Sequence, residues 1–305
     1  MTQVAIIVLN WKQPKLTLET IDSILKIKNK SFKYQILLVD NGSPDDSVEI
    51  FKKKYSQNSK ITTIETGSNL GYAGGNNFGI KYALKNKFDY CLLINNDVLV
   101  DPNFLEFLIQ KAEDGYKLTG PKIYFAPGYE YHSDWYSKRE IGNVIWSAGG
   151  QMDWNNVYGS NIGVDEVDHG QFDHLNDHLD FLTGCCLLIN NEVFQKIGFL
   201  DDKFFMYLED VDFCQRALKA GFKMAYIPDS KIWHVNSGSS KSGGDLHDYF
   251  ITRNRLIFGF RYAKLRTKFA LLRESIKILF TYPSVWKKRA VIDFYFKKFN
   301  KGSWK

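Results

Sequence analysis

The chain has 305 residues, of which 44% are hydrophobic and 24% charged, and these proportions argue against a disordered chain, a collagen or a coiled coil. No apolar run approaches the roughly 18 residues needed to cross a bilayer. Residues 4–9 are too short for a signal peptide and lack a basic leader, so we expect a cytoplasmic protein. The 4 cysteines have no C-x-x-C spacing, which favours buried free thiols over a metal site.

The net charge of +6 is unevenly distributed along the chain. Residues 253–305 carry 15 Lys and Arg against 2 acids, which gives this segment +13 and leaves −7 for the rest. A basic C-terminal segment on an acidic body predicts an anionic partner, either phospholipid or nucleic acid. The alternative is a solvated face with no partner.

The first 125 residues alternate short apolar runs with amphipathic stretches. We predict strands at 4–10, 34–40, 61–66 and 90–97, and helices at 14–25, 43–54, 76–86 and 102–112. This alternation predicts a mainly parallel sheet with helices on both faces. Ligands of such sheets bind beyond the carboxyl ends of the strands, so polar residues at those ends are candidates for function.

A different pattern follows at residues 124–180, which are aromatic and rich in Gly and Asn. We expect an irregular or antiparallel excursion there rather than another strand–helix unit. Beyond it, we predict strands at 181–189 and 223–228 and helices at 191–197 and 208–220.

Two polar features of the first half suit a nucleotide. Asp40 ends the second predicted strand, where its carboxylate can accept hydrogen bonds from a nucleobase or a ribose, or cap the next helix. Residues 67–79 are rich in glycine, which suits the close approach of a diphosphate. Their spacing is neither G-x-G-x-x-G nor a Walker A motif, which argues against a nicotinamide dehydrogenase or a P-loop NTPase.

Three further sites carry acids or a histidine. Asn95, Asn96 and Asp97 close the fourth strand, and their oxygen atoms suit Mg²⁺ or Mn²⁺. The run E-D-V-D at 209–212 opens a helix, where acids either cap the helix dipole or supply a general base. His234 lies just past the last predicted strand, where it is either a packed side chain or a ligand.

Together, these stretches resemble glycosyltransferase family 2, and within it the bacterial rhamnosyltransferase-like branch. The matching segments occur in the family's order over about residues 4 to 258, and they are VAIIVLNW, LLVDNGSPDDS, NLGYAGGNNFGI, LLINNDVLVDP, FLTGCCLLI, GFLDDKFFMYLEDVDFCQRALKAGF, IWH and YFITRNRL. The resemblance implies an α/β GT-A fold, Rossmann-like, with a mixed and mainly parallel central sheet flanked by helices. It also implies a nucleotide-sugar donor, a divalent metal and inversion at the anomeric carbon.

The resemblance assigns roles to individual positions. Asp210 corresponds to the catalytic base, with Glu209 beside it in the family's E-D motif. Asp97 matches the last acid of the D-x-D metal motif, and His234 the histidine that completes the metal shell. Asn95 replaces the first acid of that motif, which predicts modest metal affinity. The positions assigned to the nucleotide sugar are Asp40, Asn69, Gly71, Asn77, Asn96 and Arg253.

We therefore expect a catalytic domain at 1–252, with a donor-binding half at 1–123 and an acceptor-binding and catalytic half at 124–252. Residues 253–305 form a basic, helical extension. The expected donor is dTDP-rhamnose, with a UDP-sugar as the second choice, and the expected acceptor is a saccharide or a polyprenyl-diphosphate-linked saccharide.

The basic extension is expected to attach the protein to the inner face of the cell membrane; packing on the catalytic domain or in a homodimer is the alternative. Nucleic acid is not favoured. The competing functions are a nucleotidyltransferase and a sugar- or nucleic-acid-binding module without catalysis. The Arg/Lys-bearing glycine-rich loop usual in nucleotidyltransferases does not follow the first strand.

Overall fold

A central mixed sheet organises the computed structural model, which describes residues 1–175, 179–235 and 244–304. The strands of the described residues are β1 (Thr2–Asn10), β2 (Phe32–Asp40), β3 (Ile61–Glu65), β4 (Tyr90–Ile94), β5 (Val98–Val100), β6 (Leu118–Phe125), β7 (Ile145–Ser147), β8 (Gly150–Asp153), β9 (Tyr158–Asn161), β10 (Cys186–Asn190) and β11 (Met224–His234). The order in the sheet is β3-β2-β1-β4-β10-β6-β11-β5, with β7 added beside β6.

The helices of the first two thirds flank this sheet. They are α1 (Pro14–Ile24), α2 (Ser47–Tyr55), α3 (Gly71–Lys85), α4 (Phe104–Glu113), α5 (Asn191–Ile197) and α6 (Glu209–Lys219). Strands β3, β2, β1 and β4 run parallel, whereas β10 runs antiparallel to both β4 and β6. The predicted mixed, mainly parallel α/β sheet is confirmed.

Both faces of the parallel strands are buried. In β1, Val4, Ile6 and Val8 belong to one apolar core, and Ala5 and Ile7 belong to the core on the opposite face. Because successive side chains of a strand point to opposite faces, a strand covered on both sides needs apolar residues throughout. The uninterrupted apolar run of β1 is the consequence.

Several element boundaries differ from the sequence prediction; for example, β4 ends at Ile94 rather than at residue 97, and β10 begins at Cys186 rather than at residue 181. Helix α3 begins at Gly71 rather than at residue 76, and α2 begins at Ser47 rather than at residue 43. The glycine-rich stretch is thus mostly helix. A β-carbon on Gly75 or Gly79 would collide with Leu9 or Ile7 of β1, so glycine lets this helix lie close to the sheet.

The last strand also extends six residues further than predicted. It continues past Pro228 to His234, with a register shift against β6 between Ile227 and Lys231. An irregularity of this kind accommodates a proline, which has no N–H to donate to the ladder. His234 therefore lies within the strand, paired with Val98 of β5.

Residues 124–180 form the irregular, antiparallel excursion that the sequence predicted, within the part of it that the structure describes. It contains β7, the isolated hairpin β8–β9 and a short 3₁₀ turn at Ser133–Trp135.

Three helices form the C-terminal part, namely α7 (Asp245–Tyr262), α8 (Leu265–Thr281) and α9 (Val285–Tyr295). Leu256, Leu271 and Val291, one from each helix, join the same core as the sheet. The predicted domain boundary between residues 252 and 253 falls inside α7. Among the described residues, no helix is both long and apolar enough to span a membrane.

Candidate functional site

Asp97 and His234 meet at the end of the sheet. Asp97 follows β4 in a tight turn, and His234 ends β11, whose register against β5 brings the two residues together. His234 Nε2 lies 3.2 Å from Asp97 Oδ1, and the Val235 N–H donates to the Asp97 carbonyl at 2.7 Å. The ring of Trp146 packs edge-on against His234 with a centroid distance of 4.6 Å.

This pair suits a divalent cation. Both side chains are buried, and within the described ranges neither Asp97 Oδ1 nor His234 Nδ1 has a hydrogen-bond partner. Buried polar atoms normally have partners, so an orphaned carboxylate oxygen facing an imidazole nitrogen fits a metal ion. In the described part of the chain, no group of three or more His, Cys, Asp and Glu side chains converges there. The protein would thus supply few ligands.

Asp210 is held by backbone donors. Its Oδ2 accepts from the Gly184 N–H and its Oδ1 from the Val211 N–H, both at 2.8 Å. Burial raises the pKa of the Asp210 carboxyl, and these backbone N–H groups act in the opposite direction. The residue as a whole is only partly buried and lines a cavity, so the oriented carboxylate borders open space.

The two neighbouring acids of helix α6 differ from Asp210. Burial, reinforced by the negative charge of Asp210, raises the pKa of Glu209 well above its ordinary value. Asp212 is fully buried and pairs with Arg216 and Arg261. Glu209 is therefore disfavoured as a charged base and Asp212 is an ion-pair partner of two arginines, which leaves Asp210 as the acid suited to take up a proton.

The segment before β10 connects these two parts of the site. The Asn95 N–H donates to the Cys185 carbonyl at 2.9 Å. The preceding residue, Gly184, donates its N–H to the Asp210 carboxylate. Burial, and then the charges of Asp97 and Asp210, raise the pKa of the Cys185 thiol. Both carboxylates therefore act on the same thiol from distant parts of the sequence.

A cavity of about 220 Å³ opens beside Asp210. It is lined by the following residues of the excursion, the segment before β10, the start of α6 and helix α7: Gly159, Asn161, Phe181, Thr183, Tyr207, Leu208, Glu209, Asp210, Val211 and Ile251. A larger one of about 360 Å³, between Trp154 and Lys264, shares no lining residue with it. The smaller cavity is the one that contains the Asp210 carboxylate.

A hydrogen-bonded chain runs along the carboxyl ends of β2, β1 and β4. Asn10 donates to Asp40 Oδ2, Thr17 donates to Asn10, and Asn96 donates to Thr17, each at 2.8 Å. Asp40 Oδ1 accepts from the Ser43 N–H, and α2 begins only at Ser47, so Asp40 closes a turn and does not cap that helix. This series of hydrogen bonds fixes the positions of Asp40 and Asn96 relative to each other.

The three residues assigned to the glycine-rich stretch make protein contacts. Asn69 Oδ1 accepts from Asn41 and from the Gly71 N–H, while Gly71 has a positive φ of 73° and lies against Phe205. The Asn77 amide donates to the Leu200 carbonyl at 2.9 Å, and its oxygen accepts from the Leu200 N–H at 3.1 Å. Asn77 thereby ties α3 to the segment that precedes α6.

Arg253 has a structural role instead of an open position beside a donor. It is 0% exposed, and its hydrogen bonds use all five guanidinium N–H groups. The acceptors are the Asn254 side chain, the Tyr249 hydroxyl and the carbonyls of Asn300, Lys203 and Phe204. We therefore leave Arg253 out of the donor site.

Four residues with positioning roles were not singled out from the sequence: Asn10, Tyr72, Gly184 and Asn254. Asn10 ends β1 as Asp40 ends β2, so its position at a strand end was an available signal. The Tyr72 hydroxyl donates to the Gly184 carbonyl at 2.5 Å, a contact between residues 112 apart that no local pattern indicates.

The fold is that of the GT-A glycosyltransferases. The crystal structure of GalNAc-T7 with UDP, GalNAc and Mn²⁺ superposes with a TM-score of 0.60 at 15% identity, over 92% of this chain and 59% of that one. The sequence model of Glycosyl transferase family 2 matches residues 4–212. The chain belongs to this family, as the sequence motifs predicted.

Two relatives illustrate the similarity. The low-salt glycan biosynthesis hexosyltransferase Agl10 of Haloferax volcanii is 28% identical over 60% of this chain and 53% of its own length. An N-acetylglucosaminyl-diphospho-decaprenol L-rhamnosyltransferase of Mycobacterium tuberculosis is 26% identical over 67% of each chain. The chain thus spans about half of the first relative and two thirds of the second.

Proposed function

We propose that the protein transfers a sugar from a nucleoside-diphosphate donor to a hydroxyl group of a saccharide acceptor, with inversion at the anomeric carbon. The observation that supports this most strongly is the position of Asp210. Its carboxylate is oriented by two backbone N–H groups at the wall of a cavity, one short segment away from the Asp97 turn.

In the proposed reaction, Asp210 accepts the proton of the acceptor hydroxyl as that oxygen forms its bond to the anomeric carbon. The bond between this carbon and the diphosphate oxygen breaks on the opposite face, as in inverting sugar hydrolysis. The raised pKa makes Asp210 a stronger base than an ordinary aspartate. The raised pKa of the neighbouring Glu209 disfavours a second negative charge beside it.

Asp97 and His234, with the amide oxygen of Asn95, are the residues that would hold Mg²⁺ or Mn²⁺. When bound, such an ion neutralises charge that develops on the departing diphosphate. The 3.2 Å approach of His234 Nε2 to Asp97 Oδ1, and the lack of a hydrogen-bond partner for that oxygen among the described residues, support this assignment. On the donor side, Asp40 and Asn96 are proposed to contact the nucleoside and sugar, with Asn69, Gly71 and Asn77 shaping the wall.

The relatives guide the choice of substrates. We propose dTDP-rhamnose as the donor, with a UDP-sugar as the second choice. The mycobacterial relative is named for transfer of L-rhamnose to N-acetylglucosaminyl-diphospho-decaprenol, which supports rhamnose as the sugar and a polyprenyl-diphosphate-linked saccharide as the acceptor. Such an acceptor resides in a membrane. We therefore propose that the protein acts at the inner face of the cell membrane.

A screen of nucleotide sugars tests this function. The purified chain is incubated with each donor, a polyprenyl-diphosphate-linked saccharide and Mn²⁺ or Mg²⁺, and release of nucleoside diphosphate is measured. We expect one donor to give release that depends on the acceptor. Release that is equal with and without acceptor, or absent with every nucleotide sugar, would contradict the proposal.

A further inference from the structure

Helix α8 has one buried face and a separate exposed face of apolar side chains. Its inner face, with Thr267, Leu271, Ser275 and Ile278, is buried against the protein. A second set of large apolar side chains is exposed and consists of Leu265 (73%), Phe269 (69%), Leu272 (37%), Ile276 (49%) and Phe280 (80%). We call this second set the outer stripe.

The outer stripe is continuous. At 3.6 residues per turn, its members fall within about 80° of arc, on a helix roughly 25 Å long. A helix that only packs on a core needs one face buried against the protein, and the inner face of α8 already meets this need. Five exposed apolar side chains in one line are typical of a surface that is covered in use.

Basic residues flank the outer stripe. Arg266, Arg273 and Lys277 lie along one side of it and Lys268 along the other. Glu274, the only acid of the helix, lies on the far side and pairs with Arg255 at 2.7 Å. The positive charge beside the stripe is therefore not neutralised by an acid of this helix.

We propose that the outer stripe of α8 inserts into the interface of an anionic lipid bilayer. Lysine and arginine beside a line of Leu, Ile and Phe are the composition of interfacial helices, in which the cations meet lipid phosphates and the apolar side chains reach the acyl chains. A nucleic acid would pair with the basic side chains but would leave the apolar outer stripe exposed to water. A second copy of this chain brings two sets of like charges together.

This inference deepens the proposed action at a membrane by naming the surface, and it rests on that proposal only for the location of the acceptor. The helix connects to the site through the core. Its inner-face Leu271 lies against Gly259 of α7, and Ile251 of α7 lines the cavity beside Asp210. Helix α8 would thus contact the bilayer, while α7, which packs against it, borders the proposed acceptor site.

Vesicle sedimentation without any nucleotide sugar tests the inference. The full chain is mixed with vesicles of phosphatidylcholine alone or of phosphatidylcholine mixed with the anionic lipid phosphatidylglycerol. We expect binding to the anionic vesicles only, and at least a ten-fold loss of affinity, roughly, for the double variant Phe269→Ser, Ile276→Ser. Trp135→Ser, at a side chain 73% exposed on another element, is the matched control and retains binding.

A charge variant, Arg266→Gln with Arg273→Gln and Lys277→Gln, is expected to bind anionic vesicles more weakly and to lose the salt dependence. Circular dichroism and transfer to a short water-soluble acceptor establish that each variant is folded and active, which separates this test from that of the proposed function. Equal sedimentation of the wild type and the double variant would overturn the inference. Conversion of a dimer to a monomer by that variant, or selective binding of nucleic acid, would also overturn it.

Discussion

The side-chain amide of Asn254 lies 2.8 Å from the carbonyl oxygen of Phe204, fifty positions earlier in the chain. The same amide donates to the carbonyls of Met206 and Tyr207 at 2.7 and 2.9 Å. Helix α7 thus holds the backbone that leads into Glu209 and Asp210. Phe205, Tyr207 and Leu208 in this segment have φ angles of 64°, 68° and 69°, a left-handed conformation that is unfavourable for such side chains.

Replacing Asn254 with alanine is expected to loosen this segment and displace Asp210. We predict a fall in kcat of about ten-fold or more with little change in the KM for the donor, because small misplacements of a catalytic group are costly. Steady-state kinetics measure both parameters. Asn86→Ala, at an exposed asparagine, is the control, and a change confined to the donor KM would contradict the positioning role.

Replacing Asp210 with asparagine is expected to remove transfer while leaving donor binding intact. The amide keeps the shape of the carboxylate but cannot accept a proton, and loss of a general base costs about 10²–10⁴-fold in rate. Product formation and calorimetric donor binding measure the two effects. Asp229→Asn, at an exposed aspartate, serves as the control. Near-wild-type transfer by the Asp210 variant would remove this residue from the mechanism.

Replacing Glu209 with glutamine is expected to stabilise the protein at neutral pH. Burial raises the pKa of Glu209, so the folded state keeps a proton that the unfolded state releases above its ordinary value. Stability therefore falls as pH rises through that interval, and the loss persists at neutral pH. Thermal unfolding measured at pH 7.5 should show a higher Tm for the variant, and at about pH 4 the difference should vanish. A lower Tm at pH 7.5 would contradict the assignment.

Replacing Gly184 with alanine is expected to reduce transfer, because it displaces the backbone N–H that donates a hydrogen bond to Asp210. The added β-carbon would lie 2.8 Å from the Tyr72 hydroxyl oxygen, which is closer than such contacts allow. Tyr72→Phe removes that oxygen, so the double variant should recover part of the activity lost by Gly184→Ala. A double-mutant cycle of kcat measures the coupling, and strict additivity would show that the two residues act independently.

Replacing Asn95 with aspartate is expected to lower the Mn²⁺ concentration that gives half-maximal activity. A carboxylate binds a hard cation more strongly than an amide does. Asp97→Asn should act in the opposite direction, by roughly ten-fold or more, because it removes the carboxylate proposed as a metal ligand. Metal titration of nucleoside diphosphate release gives both values. Identical midpoints in the three proteins would place the metal elsewhere.

The sequence by itself determined the alternation of strands and helices, the mixed α/β fold and the family. These depend on local signals, since apolar periodicity identifies a buried strand and the motifs occur in order along the chain. It also identified Asp97, Asp210 and His234 as residues of interest. Residue type and position at a strand or helix end made them candidates, and the resemblance to the family assigned their roles.

Only the tertiary structure decided which of these side chains meet and which are structural. Asp97 contacts His234 because β11 continues past Pro228, and Arg253 is buried because the backbone carbonyls of Lys203 and Phe204 lie beside it. Likewise, only the packing of α8 against α7 and the core shows which of its faces is buried and which is exposed. Such outcomes depend on contacts between residues far apart in sequence, for which local periodicity carries no information.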